Sequence, residues 1–108
     1  MDDKRYRTLA ADTLRQVIDL FDDFDVDLAD VESSGDVVTI TLRGGGKVVV
    51  NTQGAVHQIW LAGGGRGWHF AWDDPTARWV HDKGSGDHLF GVLARLVRDA
   101  TGRDVGGA

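Results

Sequence analysis

The sequence predicts an α+β fold: a two-layer sandwich with two helices on one face of an antiparallel sheet of about six strands. Both ends of the chain repeat apolar residues at helical spacing, whereas the middle alternates apolar and polar residues between short glycine-rich turns. Strands joined by short turns pair antiparallel, and two helices with one apolar stripe each cover the same sheet face. At 108 residues the chain is expected to form one domain, residues 1–108, with an ordered core over about 4–101.

The first helix is predicted over residues 4–24. Its apolar residues recur every three or four positions: Tyr6, Ala10, Leu14, Val17, Phe21 and Phe24. At about 100° per residue these side chains form one stripe, and Asp12, Asp19, Asp22 and Asp23 lie on nearly the opposite side. The helix is therefore expected to bury its apolar stripe and to expose its carboxylates.

Six strands and a second helix follow. The strands are predicted at 28–33, 36–42, 47–51, 56–61, 68–72 and 78–81, from alternation, β-branched content and intervening turns. The second helix is predicted after residues 84–87, with Ser85 or Asp87 as its N-cap and Gly102 as its end. Residues 103–108 are predicted to be a loose tail.

The strand around Trp60 carries the most informative alternation. If Ile59 and Leu61 face the core, Gln58 and Trp60 face the other side of the sheet, because strand side chains alternate with period 2. A solvent-facing Trp is typical of a docking surface, where Trp is a frequent hot-spot residue. Core positions are expected for Trp79 and for most of the set Trp68, Phe70 and Trp72.

The charge is asymmetric. Residues 1–36 carry 11 acids and 4 bases, whereas residues 37–108 carry 6 acids and 8 bases, within a net charge of −5. This pattern favours a basic partner or cations and argues against nucleic acid. There is no cysteine, which excludes disulfides and an iron–sulfur cluster held by the chain's own thiolates. No apolar run of about 18 residues and no secretory signal is recognised, so we expect a cytoplasmic protein with no membrane contact.

Eight carboxylates form what we call the acidic ridge: Asp12, Asp19, Asp22, Asp23, Asp25, Asp27, Asp30 and Glu32. Hard cations prefer such oxygen ligands, although a merely solvated helix face remains the alternative. A calcium loop starting at Asp23 is rejected, because it would need Gly at 28 and Glu at 34, where the chain has Leu28 and Ser34.

No catalytic residues are predicted. The four histidines, His57, His69, His81 and His88, lack zinc-ligand spacing and are interpreted as surface or strand residues. No nucleophile, base and orienting group converge in the sequence, so we expect no enzymatic activity of its own, with weak ferroxidase activity left open.

Four segments in order resemble the frataxin family, and its bacterial members in particular. The segment from Asn51 to Phe70 carries N-x-Q, then Q-I-W-L-A, then G-W-H-F. The others are the acidic helix end at 21–25, the strand at 37–41 and the W-V-H-D stretch at 79–82. The resemblance covers about residues 6–101 and implies the two-layer fold described above.

The resemblance implies a regulator of iron–sulfur cluster assembly that binds iron weakly. The implied metal-binding residues are Asp19, Asp22, Asp23, Asp25, Asp27 and Asp30. The implied partners are a cysteine desulfurase and its scaffold protein, bound by a monomer. The implied partner-binding residues are Asp12, Asp19, Asp22, Asp23, Glu32, Asn51, Gln53, Gln58 and Trp60.

Three positions depart from the family pattern: Arg7 where some members have a metal-binding His, Ile18 where an acid is frequent, and Ala55 where Pro is usual. Two other functions are kept open. One is an iron-storage or ferroxidase-type iron chaperone, and the other is an unrelated adaptor that binds a basic partner.

Overall fold

The computed structural model describes residues 1–105 and confirms the predicted two-layer fold. Two helices flank six strands and one short 3-10 turn: α1 (Asp3–Asp19), β1 (Ala29–Ser34), β2 (Val37–Leu42), β3 (Lys47–Gln53), the turn (Gly54–Val56), β4 (Gln58–Gly63), β5 (Arg66–Asp73), β6 (Arg78–His81) and α2 (Leu89–Thr101). The strands pair antiparallel in chain order, β1 to β6, so the sheet is a simple meander. Within the described residues no helix is long and apolar enough to cross a membrane.

Both helices cover one face of the sheet, and this face is the core. Every second strand residue is buried there: Val38, Ile40, Leu42, Val48, Val50, Ile59, Leu61, Trp68, Phe70 and Trp79. One apolar stripe of each helix packs against these strand residues. The stripe of α1 consists of Tyr6, Ala10, Leu14 and Val17, and the stripe of α2 consists of Leu89, Val92, Leu93 and Val97. The opposite sheet face has no covering layer in the described part of the chain, and we call it the open face.

The first helix ends at Asp19, so the predicted extension to residue 24 is wrong. Beyond Asp19 the backbone continues in turns with bonds from residue i to i−3, including Phe24 N to Phe21 O at 3.0 Å. Phe21 still reaches the core at 6% exposure, which explains why the apolar spacing continued past the helix. The C-terminal end of a helix dipole is negative, so carboxylates clustered there destabilise the helix. This repulsion favours an end of α1 before the acidic residues that follow.

The second helix is capped differently from the prediction. Its N-cap is His88, whose ring accepts a hydrogen bond from Gly91 N at 3.3 Å, so the assignment to Ser85 or Asp87 is wrong. The helix stops at Thr101–Gly102, as predicted: Gly102 is its C-cap, in a left-handed conformation with φ of 73° that glycine adopts at little cost.

Residues 103–105 are not loose. Val105 is only 2% exposed and belongs to the hydrophobic core, so the predicted tail is wrong for this part of the chain. The remainder of the predicted tail, residues 106–108, lies outside the described residues.

One buried hydrogen bond joins the first helix to the last strand. The indole Nε1 of Trp79 donates to Thr13 Oγ1 at 2.8 Å, and Thr13 Oγ1 donates in turn to Leu9 O at 2.7 Å. Thr13 is a polar residue within the core, at 5% exposure. A buried donor that loses its partner keeps the full cost of its desolvation.

We therefore expect Thr13→Val to lower the free energy of unfolding by about 1–3 kcal/mol, because it leaves the Trp79 N–H buried and unpaired. Thr8→Val is the matched control, since Thr8 makes the same backbone bond (to Lys4 O, 3.1 Å) on the exposed side of α1. Urea unfolding measures both variants. A loss at Thr13 no larger than at Thr8 would contradict the role given to this bond.

Candidate functional site

The acidic ridge extends from α1 through the following turns to the edge strand β1. Asp12 and Asp19 lie on α1, Asp30 and Glu32 lie on β1, and the turns between them carry Asp22, Asp23, Asp25 and Asp27. All eight side chains are exposed. Within residues 1–105 only Asp12 of this set pairs with a basic side chain, at 3.6 Å from Arg15. The ridge is thus a run of exposed, almost unneutralised carboxylates.

The connection from Asp25 to β1 is held by local hydrogen bonds. The Asp25 carboxylate accepts from Asp27 N at 3.0 Å, and Asp25 O accepts from Leu28 N and Ala29 N at 2.9 and 3.1 Å. A carboxylate bonding the backbone two residues on is a typical Asx turn. This turn fixes the direction in which the chain enters β1.

The predicted metal-binding residues do not converge. No group of three or more His, Asp or Glu side chains in residues 1–105 is placed to hold a metal ion. The ridge therefore offers separate, solvated carboxylates rather than a preformed cage. Such ligands suit weak and exchangeable binding of hard cations, because a tight site needs several oxygens arranged in advance.

The segment after α2 braces the ridge, which the sequence did not predict. Arg103 Nη1 donates to Asp23 O at 3.0 Å, and its guanidinium lies 4.3 Å from the ring centroid of Phe24. Phe24 in turn packs edge-on against Phe21, 5.1 Å away. Arg103 thus connects the segment after α2 to the turn at Asp23 and Phe24, and it places a positive charge beside that turn.

The open face carries a polar cluster centred on Trp60. The register pairs Trp60 with Asn51 on one side and with His69 on the other. The Trp60 and His69 rings stack at 4.1 Å and 13°, and Trp60 Nε1 donates to Gln58 Oε1 at 2.8 Å. Trp60 is half-buried, whereas Ile59 and Leu61 are fully buried. The predicted orientation of this strand is confirmed.

The cluster also contains His69 and Asp82, which were not predicted from the sequence as part of it. Asp82 Oδ2 accepts from Gln58 Nε2 at 3.3 Å and lies 3.9 Å from His69 Nδ1. Alternation in β5 contained a signal for His69, since it lies between the buried Trp68 and Phe70. Asp82 follows β6, and no periodicity predicts its position.

The turn that leads into β4 is anchored from α1. Tyr6 OH donates to Gln58 O at 2.6 Å and accepts from Gln53 N at 3.2 Å. The His57 ring stacks on Tyr6 at 4.9 Å and lies 2.6 Å from Asp3 Oδ1. The hydrogen bond and charge of His57 lower the pKa of Asp3. These contacts hold the turn that contains Ala55 without the proline usual there.

The ridge and the open face are continuous. In β1, Ala29 pairs with the buried Leu42 and faces the core, so Asp30 and Glu32 point to the open face. The pairing of β1 to β4 then places Asp30 and Glu32 on the same face of the sheet as Asn51 and Trp60. One surface thus extends from the turns between α1 and β1, across the edge strand β1, to the polar cluster around Trp60.

Fold and site together define a small two-layer α/β protein with an acidic edge and a sheet face that carries an aromatic cluster. Residues 1–103 match the family model of the frataxin-like domain. The chain belongs to the frataxin family, as its motifs predicted.

Curated relatives support this assignment over the whole chain. An iron-sulfur cluster assembly protein CyaY of Pseudomonas aeruginosa is 35% identical over 105 residues, covering 97% of this chain and 95% of that protein. CyaY of Azotobacter vinelandii is 34% identical over 101 residues, covering 94% and 90%. The predicted likeness to bacterial members is confirmed.

Two solved structures are similar as well. Frataxin from Psychromonas ingrahamii superposes with a TM-score of 0.85 at 24% identity, covering 97% of this chain and 96% of that one, which supports the fold. A trimeric frataxin from the yeast Saccharomyces cerevisiae, complexed with ferrous iron, superposes with a TM-score of 0.75 at 28% identity, covering 88% and 87%.

The bracing by Arg103 generates a stability prediction. We expect Arg103→Ala to lower the free energy of unfolding by about 1–2 kcal/mol, the sum of an exposed cation–π contact and one hydrogen bond. Amide hydrogen exchange at residues 22–25 should accelerate, because the turn loses its contact with the chain end.

Arg98→Ala is the matched control for this substitution. Arg98 pairs at 3.6 Å with Asp104 through side chains that are both more than two-thirds exposed, and such pairs contribute little. Equal exchange rates at residues 22–25 in the wild type and in Arg103→Ala would refute the bracing role.

Proposed function

We propose that this protein is an iron-responsive adaptor in iron–sulfur cluster assembly, the process for which its curated relatives are named. In this proposal the acidic ridge docks on a basic surface of a cysteine desulfurase. The Trp60 cluster docks on the scaffold protein where the cluster is built. The chain contributes binding and regulation rather than a catalytic step of its own, acts as a monomer and works in the cytoplasm.

The observation that carries this proposal is the continuity of the ridge with the open face. Exposed carboxylates that are only partly neutralised repel one another, and a basic partner relieves that repulsion. Complementary charge also accelerates and orients encounter. Trp60, ringed by amide and imidazole groups, supplies the aromatic anchor that interfaces typically place at their centre. One surface can therefore engage two partners that lie side by side.

Weak iron binding by the ridge fits the same proposal. Ligand oxygens come from Asp19, Asp22, Asp23, Asp25, Asp27 and Asp30. Because these carboxylates do not form a cage, bound iron would exchange readily and would neutralise part of the ridge. Iron would then compete with the basic partner or adjust its affinity, which makes the ridge responsive to iron supply.

Iron storage is the second candidate, and the trimeric yeast frataxin with ferrous iron favours it. Storage requires iron-driven assembly into larger particles. Size-exclusion chromatography with ferrous iron distinguishes the two functions: an adaptor stays monomeric, whereas a storage protein elutes as a defined oligomer that oxidises iron above the buffer rate.

The ridge predicts salt-sensitive binding to a bacterial cysteine desulfurase. We expect Asp22→Lys/Asp23→Lys to weaken this binding at least about tenfold, or 1.4 kcal/mol, because two attractive charges become repulsive. The loss should shrink as salt rises, since screening weakens exposed charges. Isothermal calorimetry at two salt concentrations measures both effects.

The matched control carries the same charge reversal elsewhere. Asp99→Lys/Asp104→Lys changes two exposed acids at the end of α2 and beyond it, and desulfurase binding should persist. In the same assay Trp60→Ala should spare desulfurase binding and reduce scaffold binding, with Val56→Ala as the control for an exposed apolar residue. Equal losses for both double reversals would show that only net charge matters and would overturn the docking assignment.

A further inference from the structure

Trp68 differs from the other three tryptophans in its indole N–H. Each of the other three donates at 2.8 Å to a side-chain oxygen: Trp60 to Gln58, Trp72 to Asp74 and Trp79 to Thr13. Trp68 Nε1 is buried and has no hydrogen-bond partner among the described residues. An unpaired buried donor costs about 1–3 kcal/mol, and such a group in a folded protein calls for a water or a ligand.

Trp68 lines a groove of about 430 Å³ at the end of the sheet where α2 stops. The β2–β3 and β4–β5 hairpins form two sides, and the second half of α2 forms the third. Its apolar lining consists of Leu42, Val48, Leu96 and Ala100. Small-molecule sites typically occupy about 300–1,000 Å³ with mostly apolar walls and a few polar groups.

Two glycines shape this groove. A Cβ on Gly63 would lie 3.0 Å from Leu96 Cδ1, and a Cβ on Gly64 would lie 3.1 Å from Leu96 Cδ2. Gly64 also has a φ of 59°, which side-chain-bearing residues rarely adopt. The β4–β5 hairpin can therefore approach α2 closely only because both positions lack a side chain, and this approach closes one wall of the groove.

The polar groups of the groove are mostly donors. The Arg66 guanidinium lies 4.7 Å from the Trp68 ring centroid and has no carboxylate within 4.0 Å in residues 1–105. Arg95 lines the groove from α2 and lies 3.7 Å from Asp87. Asp99 is the carboxylate in the lining. The lining thus holds three basic residues, Lys47, Arg66 and Arg95, and one acid, together with Trp68 and its unpaired indole N–H.

We propose that this groove binds a small organic anion. Its carboxylate or phosphate oxygens would lie between Arg66 and Arg95 and accept from Trp68 Nε1, and its hydrocarbon part would pack on Leu42 and Leu96. The indole N–H is buried, so a side chain of the lining shifts as the anion enters to reach it. The groove is separate from the acidic ridge and from the Trp60 cluster. Anion binding in the groove is therefore independent of the proposed function.

The Trp68 indole N–H signal in ¹H–¹⁵N NMR provides a direct test. Hexanoate and inorganic phosphate are titrated separately at constant ionic strength, with sodium chloride as the compensating salt. We expect a saturable downfield shift of the Trp68 signal, with the Trp72 and Trp79 signals unchanged because their partners are internal. Saturation by hexanoate alone supports a carboxylate ligand with an apolar body, and saturation by phosphate as well supports a general oxyanion site.

Substitutions distinguish binding in the groove from general ion effects. Arg66→Gln should weaken hexanoate binding by about tenfold, the typical scale for losing one charge-assisted hydrogen bond. Arg78→Gln removes the same charge at the opposite end of the sheet and should leave the affinity unchanged. A shift of Trp68 that never saturates, or one that Arg66→Gln leaves unchanged, overturns the proposal. Unperturbed backbone spectra confirm that each variant is folded.

Discussion

The period-two alternation of the strands is the constraint on which the rest of the structure depends. Ile59 and Leu61 are at most 1% exposed beneath the helices, so Trp60 between them must face the other way. A shift of the β4 pairing by one residue would bury Gln58 and expose Ile59. The hydrophobic effect therefore determines the pairing register. The packing that stabilises the core therefore also sets the direction of Trp60. The core and the open face that carries Trp60 therefore depend on the same strand register.

The acidic ridge is subject to a different balance. Asp19, Asp22 and Asp23 lie at or just after the end of α1, where they oppose the helix dipole, and the ridge carboxylates repel one another. The fold offsets part of this cost through the Asx turn at Asp25 and by bringing Arg103 against Phe24. This cost is what the proposed binding role of the ridge accounts for. The same bracing makes the shape of the ridge depend on the end of the chain.

The sequence predicted what depends on local periodicity and missed what depends on distant contacts. Strand faces and the exposure of Trp60 follow from alternation, so they could be read directly. The Arg103–Phe24 contact joins residues nearly 80 positions apart, and no local pattern encodes it. The His88 cap was missed because Ser and Asp are preferred at N-caps and both stood close by. The roles proposed for the ridge and for the Trp60 cluster rest on family motifs, and the structure added the continuity of the two surfaces.

A hydrogen-exchange footprint of the protein in its complexes tests the central claim most directly. Exchange is measured for the chain alone, with a cysteine desulfurase, and with desulfurase and scaffold together. We predict that desulfurase protects residues 19–32, and that adding the scaffold protects residues 51–61 and 66–70 on β3 to β5. Protection confined to the outer side of α2, with the ridge and the Trp60 cluster exchanging as in the free protein, would contradict the proposal that the two form one docking surface.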